Sequence, residues 1–278
     1  MKDYSQKKHY KVRRFFFTLS CAYLLLLILA ALSAPLIAPY NPTSQFLDKR
    51  LLPPCSEGHL LGSDELGRDI LSRLIYGSRP LLAVGSISVS IALAAGLLLG
   101  IMAGLRGKLL GGCLMLLIDG ILCFPTVLLV ITVISLFGYG AAQMILTIGI
   151  VFTPVFARIV RAETKSLMTE GFVESSRALG TRRLKIVTRH ILPNMLPDLI
   201  IQASILFASA IIIEASLSFL GLGVQPPSPS WGLMLKDARG YIFQAPYLAF
   251  IPGIALAATI FSLNFIGDVV AEKLNPKL

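Results

Sequence analysis

Charged residues are scarce in this chain. Only 14% of its 278 residues are Asp, Glu, Lys or Arg, whereas 55% are hydrophobic and the mean hydropathy is +0.76. Soluble globular domains contain about 25% charged residues, so this composition excludes a soluble domain. It indicates a polytopic membrane protein.

Cysteine and histidine are also few. Cys21, Cys113 and Cys123 lie in apolar segments and Cys55 stands alone in a polar loop, so no disulfide framework is indicated. The histidines are far apart, and no Cys/His spacing typical of a metal site occurs. We therefore predict no metal site in this chain.

Two catalytic motifs are missing. The sequence contains no G-x-x-x-x-G-K-[ST] phosphate loop and no H-E-x-x-H motif. The first absence means that the chain cannot hydrolyse ATP by that route, and the second argues against a membrane metalloprotease. No His accompanies a Ser or Asp inside an apolar run, so a membrane enzyme is the weakest alternative. We predict no catalytic residue and no cofactor bound by this chain.

Six apolar runs are about as long as the roughly 20 residues that a helix needs to cross a bilayer. They cover residues 15–34, 81–105, 110–137, 141–160, 197–222 and 247–269. The predicted fold class is therefore an all-α polytopic membrane protein with six transmembrane helices. The third run contains Asp119 and Pro125 and is expected to be the least regular.

We divide the chain into three regions. We interpret residues 1–80 as an anchor helix followed by an external segment, residues 81–270 as a five-helix transmembrane domain, and residues 271–278 as a cytoplasmic tail. The first run resembles a signal peptide, but Pro35 follows the expected cleavage point, so we predict an uncleaved anchor.

The basic residues indicate the orientation. Most Lys and Arg residues fall before the first run, between the second and third, between the fourth and fifth, and after the sixth. By the positive-inside rule, both termini are then cytoplasmic. The net charge of +10 is thus a topology signal, and we predict no nucleic-acid partner.

Two further patterns predict helix contacts. Apolar residues between 70 and 75 alternate with polar ones at helical spacing, which predicts an amphipathic helix at the outer interface, capped by Ser63 or Asp64. A plain surface helix is the alternative. In the second run, small residues recur every fourth position and predict close contact within the bundle or with a second membrane subunit: Ala92, Gly96, Gly100 and Gly104.

A polar, charge-rich loop between the fourth and fifth runs is the most informative feature. Residues 172–179 predict two turns of helix, and Gly180 suits a left-handed stop. Thr181 is a plausible N-cap of a second short helix, which Pro193 is expected to end. A short helix fixed between two spans can enter a groove on a partner, whereas a merely solvated loop is the alternative. The predicted docking residues are Phe172, Val173, Glu174, Ser175, Ser176, Arg177, Ala178, Leu179 and Gly180, supported by Leu192 and Pro193.

The spacing of this loop resembles a known motif. Glu174, Gly180 and the Leu192-Pro193 pair match the EAA loop of membrane subunits of ATP-binding-cassette (ABC) importers, with Ser175 and Ser176 in place of two alanines. Four more segments resemble motifs of the C-type permease subunit of dipeptide, oligopeptide and nickel importers: LGSDELGRD at 61–69, SFLGLGV at 218–224, PPSPSWG at 226–232 and NFIGD at 264–268. The pair at 275–276 resembles the closing motif of that family.

The resemblance implies a type I ABC importer permease fold, with the EAA loop spanning residues 161–196. It also implies a heterodimer with a B-type permease subunit, two ATPase subunits that bind ATP and Mg²⁺, and an extracytoplasmic solute-binding protein. The implied location is the bacterial inner membrane. Peptide is the expected substrate, because the chain shows no His- or Met-rich path that favours nickel. The same permease role for nickel or a metal chelate is the alternative.

Ionisable residues inside apolar runs are functional candidates, because a charge is costly in lipid. Glu214 lies deepest and Asp119 lies in the inner half of its run. We interpret Glu214 as a structural or gating group rather than a substrate ligand. An ion-coupled secondary transporter is the alternative function; it predicts inverted repeats, and none is visible.

Overall fold

The structure is a computed structural model that describes residues 2–56, 58–106 and 108–274. The helices are, in chain order, α1 (Lys2–Leu32), α2 (Ala34–Ile37), α3 (Ile70–Leu105), α4 (Lys108–Leu122), α5 (Thr126–Phe137), α6 (Ala141–Leu167), α7 (Gly171–Ala178), α8 (Arg183–Ile186), α9 (Leu192–Leu220), α10 (Trp231–Ala238) and α11 (Tyr247–Leu274). Short 3₁₀ turns cover Leu47–Lys49 and Arg239–Tyr241, and a π-turn covers Val187–Ile191. The all-α prediction is confirmed.

Five helical stretches within the described part of the chain are long and apolar enough to cross a membrane: Arg13–Leu32, Ile70–Leu105, Ala141–Leu167, Arg183–Leu220 and Tyr247–Lys273. The sixth predicted span is a broken one, because α4 and α5 meet at an angle of 89°. Pro125 is the N-cap of α5, and its ring disfavours a helical conformation at Phe124. The irregularity predicted for the third run is therefore confirmed as a break.

The centre of the bundle is the contact between α3 and α6. The small-residue stripe of α3 faces α6, where a Cβ at Gly100 would lie 2.6 Å from Val160 Cβ and one at Gly104 would lie 2.7 Å from Thr164 Cβ. Such short separations leave no room for a side chain, so the backbones approach closely. The stripe therefore serves contact within the bundle.

The outer end of α3 differs from the prediction. Asp69 is its N-cap, because the Asp69 carboxylate accepts a hydrogen bond from Ser72 N over 2.8 Å, and the helix runs on without a break to Leu105. The predicted separate interfacial helix, and Ser63 or Asp64 as its cap, are therefore wrong. Ile70 is 1% exposed, because the first turns of α3 are covered by the external segment and α10. The boundary drawn at residue 80 falls inside this helix.

The first and last helices lie side by side. Tyr23 of α1 donates a hydrogen bond to the carbonyl oxygen of Ala255 in α11 over 2.9 Å. The last helix continues to Leu274. The first residues of the predicted tail thus extend α11, while 275–278, including the closing motif, lie outside the described residues.

Candidate functional site

The polar loop forms the predicted helix α7. Gly180 ends it with a φ of +75°, a conformation that favours glycine. Thr181 N donates to the carbonyl of Ser176 over 3.1 Å and Gly180 N donates to that of Arg177 over 3.0 Å. This pair of bonds is the Schellman pattern, which satisfies the last carbonyls of a helix. The predicted helix and its glycine stop are both present.

One face of α7 is anchored to its own chain. Val173 is fully buried and belongs to the same apolar cluster as three residues of the following segment, Ile186, Val187 and Ile191. The rings of Phe172 and His190 lie 5.9 Å apart. Val173 therefore supports α7 from below, and the prediction that it fills a groove on a partner is wrong for this residue.

The opposite face of α7 is open. Leu179 is 86% exposed, and Glu174, Arg177 and Ala178 are also on the surface. Phe172 lies at the edge of this face, beside His190, and is 43% exposed. Across a shallow pocket lined by residues 180–188, Leu184 is 75% exposed. The two serines use their hydroxyls within the helix, as Ser175 Oγ and Ser176 Oγ each donate to a carbonyl of their own helix over 2.9 Å. The open face thus combines apolar side chains with charges of both signs.

The return from this loop to the membrane is one continuous helical stretch. The N-cap of α8 is Arg182 and makes no side-chain cap, so Thr181 is not the cap. Pro193 does not end the helix, because the chain passes through the π-turn into α9 and stays helical from Arg183 to Leu220. Leu192 N reaches back five residues to Val187 O, and this widened turn precedes the proline, which has no N–H to donate. The predicted stop at Pro193 is wrong.

Glu214 lies in the C-terminal half of this stretch and is fully buried. Its Oε1 accepts a hydrogen bond from Ser218 Oγ over 2.9 Å, and the same hydroxyl accepts from Val224 N over 3.3 Å. Its Oε2 has no hydrogen-bond partner among the residues that the structure describes. Glu214 thus takes part in joining the end of α9 to the loop that follows, which suits a structural role.

The segments at 218–224 and 226–232 meet at this point. Trp231 is 1% exposed and its indole Nε1 donates to Leu74 O in α3 over 2.8 Å. A Cβ at Gly232 would lie 2.8 Å from Ser218 Cβ, so α10 packs tightly on α9. Helix α10 is therefore wedged between α9 and α3.

Asp119 lies in α4, away from Glu214. Its Oδ1 accepts a hydrogen bond from Arg158 Nε in α6 over 2.8 Å, and the two side chains are 42% and 54% exposed. This pair links the first half of the broken span to α6. Asp119 is therefore a paired surface charge in the isolated chain.

The external segment contains a buried charge network that the sequence did not predict. Arg68 bonds Asp64 over 2.6 Å and Glu65 over 2.7 Å, and it approaches Asp237 of α10 at 3.5 Å. Arg73 of α3 lies 3.4 Å from Asp64 and is 1% exposed. Burial raises the pKa of Glu65 and that of Asp237 above their ordinary values. The network holds the external segment, α3 and α10 together.

Metal ligands are not clustered in the described ranges. No three His, Cys, Asp or Glu side chains there come together in a way that could hold a metal ion. In the buried pair of His59 and Asp69, the Asp69 carboxylate also caps α3.

Comparison with known proteins agrees with this architecture. The chain matches the profile of "Binding-protein-dependent transport system inner membrane component" over residues 96–278 and that of "N-terminal TM domain of oligopeptide transport permease C" over residues 13–54. The di/tripeptide transport system permease protein DppC of Pseudomonas aeruginosa is 42% identical over 261 residues, covering 92% of this chain and 86% of that protein. The glutathione transport system permease protein GsiD of Pectobacterium atrosepticum is 39% identical, covering 92% and 85%.

A solved structure shows the same fold. A chain of the MetNI methionine ABC transporter in inward facing conformations superposes with a TM-score of 0.59 at 20% identity, covering 73% of this chain and 96% of that one. The fold is therefore that of an ABC importer permease. With the first profile covering more than half of its length, the chain belongs to the family of binding-protein-dependent transport system inner membrane components.

Proposed function

We propose that this chain is the C-type permease subunit of an ATP-driven importer of di- and oligopeptides, and that α7 docks it onto a partner ATPase subunit. The observation that carries the proposal is the build of α7. It is a short helix held from below by Val173, with Leu179 and Phe172 facing outward. A helix anchored on one face and open on the other fits into a groove of a partner protein.

The connection from α7 to the far side of the membrane suggests how force is transmitted. The stretch from Arg183 to Leu220 has 38 residues, which corresponds to about 57 Å of helix. It begins beside α7, and near its end Ser218 accepts a hydrogen bond from Val224 N in the loop to α10. Closure of two ATPase subunits would pull α7, and this stretch would follow as a near-rigid body.

The same assignment implies the other subunits of the importer. A B-type permease subunit supplies the other half of the translocation path, and ATP and Mg²⁺ bind to the two ATPase subunits. A solute-binding protein delivers substrate on the outer side. Both termini and α7 lie in the cytoplasm, since the basic residues concentrate at these places.

Peptide is the substrate class best supported. The relatives named above are permeases of di/tripeptide and glutathione transport systems, and glutathione is itself a tripeptide. Glu214 is fully buried and bound by Ser218, which favours a structural role over ion transport.

The test is transport by the assembled importer in proteoliposomes, with this chain, its B-type partner, the ATPases and the binding protein. We expect uptake of a labelled dipeptide that needs ATP and is blocked by excess unlabelled dipeptide but not by Ni²⁺. Uptake that competes with Ni²⁺ alone would contradict the peptide assignment. Uptake without ATP, driven by an ion gradient, would support a secondary transporter instead.

A further inference from the structure

A pocket between the first and last helices has no role in the function proposed above. It has a volume of about 360 Å³ and lies where the start of α1 meets the end of α11. This size is within the range of about 300–1,000 Å³ that is common for small-ligand sites. The residues that line it are Arg13, Arg14, Phe17, Val269, Glu272 and Lys273.

The charge of this α1–α11 pocket is strongly positive. It is lined by three basic side chains and one carboxylate. Arg13 forms an ion pair with Glu272, so this carboxylate is already engaged. Lys273 Nζ lies 5.4 Å from the centre of the Phe17 ring, and Arg14 is exposed at the rim. Arg14 and Lys273 thus add two further cations to the lining, which suits a ligand with a negative charge.

The surface beside the pocket is apolar and aromatic. Phe16 lies 6.3 Å from Phe261 and 6.1 Å from Phe265, and these two rings stack at 5.8 Å. Phe15 is 63% exposed and Phe261 is 53% exposed. These rings belong to helical stretches that are long and apolar enough to cross a membrane, so they suit contact with the acyl chains of lipids. The site therefore offers cations at headgroup level and an apolar wall beside them.

From this arrangement we infer that the α1–α11 pocket binds the phosphate headgroup of an anionic phospholipid. Basic pockets between transmembrane helices are suited to such headgroups. A bound lipid fastens α1 to α11 at the basic end of the bundle, beyond the contact between Tyr23 and Ala255.

The test uses the purified transporter in nanodiscs of phosphatidylcholine that contain a minor fraction of spin-labelled phosphatidylglycerol. The immobilised fraction of the label reports binding. We expect Arg14→Gln with Lys273→Gln to weaken binding roughly 25-fold, since each basic residue near the surface contributes about a fivefold factor. Glu272→Gln removes the only carboxylate of the pocket lining and is expected to strengthen binding about fivefold.

A matched control removes two charges elsewhere. Arg106 and Lys165 are exposed basic residues outside the pocket, so Arg106→Gln with Lys165→Gln is expected to leave binding unchanged. If the double variant and this control bind phosphatidylglycerol equally well, the inference is overturned. It is also overturned if labelled phosphatidylcholine is immobilised to the same extent as labelled phosphatidylglycerol. Displacement of the lipid by inorganic phosphate at the same concentration would show a site for small anions instead. The Glu272→Gln result tests the pocket independently if the double variant does not fold.

Discussion

Ser218 donates a hydrogen bond to Glu214 one turn earlier in α9, over 2.9 Å, and both residues are fully buried. The same hydroxyl oxygen accepts a hydrogen bond from Val224 N. One hydroxyl group therefore connects the buried carboxyl group with the loop that leads to α10. Movement of the outer end of α9 must carry this loop with it.

Replacing Ser218 with Ala should destabilise the protein. The change leaves Oε1 of Glu214 and Val224 N without this partner, and an unsatisfied buried polar group costs about 1–3 kcal/mol. The free energy of unfolding, measured by chemical denaturation in detergent, should fall by an amount in this range. Ser216→Ala is the matched control, because the exposed Ser216 hydroxyl bonds only a carbonyl of its own helix in the described structure. Equal effects of the two changes would contradict the role given to Ser218.

The external network should make stability depend on pH. Burial raises the pKa of Glu65 and of Asp237, so these groups hold protons more tightly in the folded state than in the unfolded chain. The free energy of unfolding should therefore fall as pH rises from the ordinary carboxyl pKa to the raised pKa, and this contribution is constant above it. Neighbouring charges on Asp64, Arg68, Arg73 and Lys236 act on the same groups.

Thermal unfolding across this pH window measures the effect. The decrease of the free energy of unfolding with pH should be smaller in the Glu65→Gln, Asp237→Asn double variant, whatever the absolute stability of that variant. Asp48→Asn, an exposed position in the same segment, should keep the slope of the unmodified protein. A slope that is unchanged in the double variant would show that the pH dependence arises elsewhere.

The contact between α3 and α6 should not tolerate a side chain on the small-residue stripe. In Gly100→Ala, the new methyl group would meet Val160 Cβ at 2.6 Å and the backbone oxygen of Ala157 at 2.7 Å. Overpacking of this kind costs about 1–3 kcal/mol, which should lower the unfolding midpoint. Gly112→Ala in α4 is the control, since its Cβ would meet nothing within 4 Å. A similar midpoint for both variants would argue against close packing here.

The end of α7 should depend on glycine. Gly180→Ala places a Cβ on a residue with a φ of +75°, which costs about 1–2 kcal/mol. Amide hydrogen exchange at Thr181 should become faster, because its bond to Ser176 O is weakened. Gly171→Ala at the start of the same helix has open space around its Cβ and should leave this exchange rate unchanged. Unaltered protection in the Gly180 variant would exclude the Schellman pattern.

Local patterns explain what could be predicted. The spans follow from runs of apolar residues, and α7 with its stop at Gly180 follows from helical periodicity and one glycine. The break at Pro125 is also a local effect, since proline restricts the residue before it. The hydrogen bond between Ser218 and Glu214 is also predictable from the sequence, because residues four apart share a helix face.

Long-range contacts explain what could not be predicted. The early start of α3 depends on cover from the external segment and from Trp231, which bonds Leu74 across 157 positions of sequence. Asp237 joins Arg68 across 169 positions. Nothing in a single sequence marks such pairs. The orientation of Val173 likewise depends on how α7 rests on the following segment.

The most direct test concerns the outward face of α7. Leu179→Asp puts a charge on a side chain that is 86% exposed, so the chain should fold normally and lose only its contact with the ATPase subunits. Leu36→Asp is the matched control, because Leu36 is 87% exposed and lies in α2, far along the chain from α7. The measurement is recovery of ATPase and B-type subunits with the tagged chain from nanodiscs. We predict that Leu179→Asp loses the ATPase and keeps the B-type subunit, while Leu36→Asp keeps both; full ATPase recovery with Leu179→Asp would contradict docking through α7.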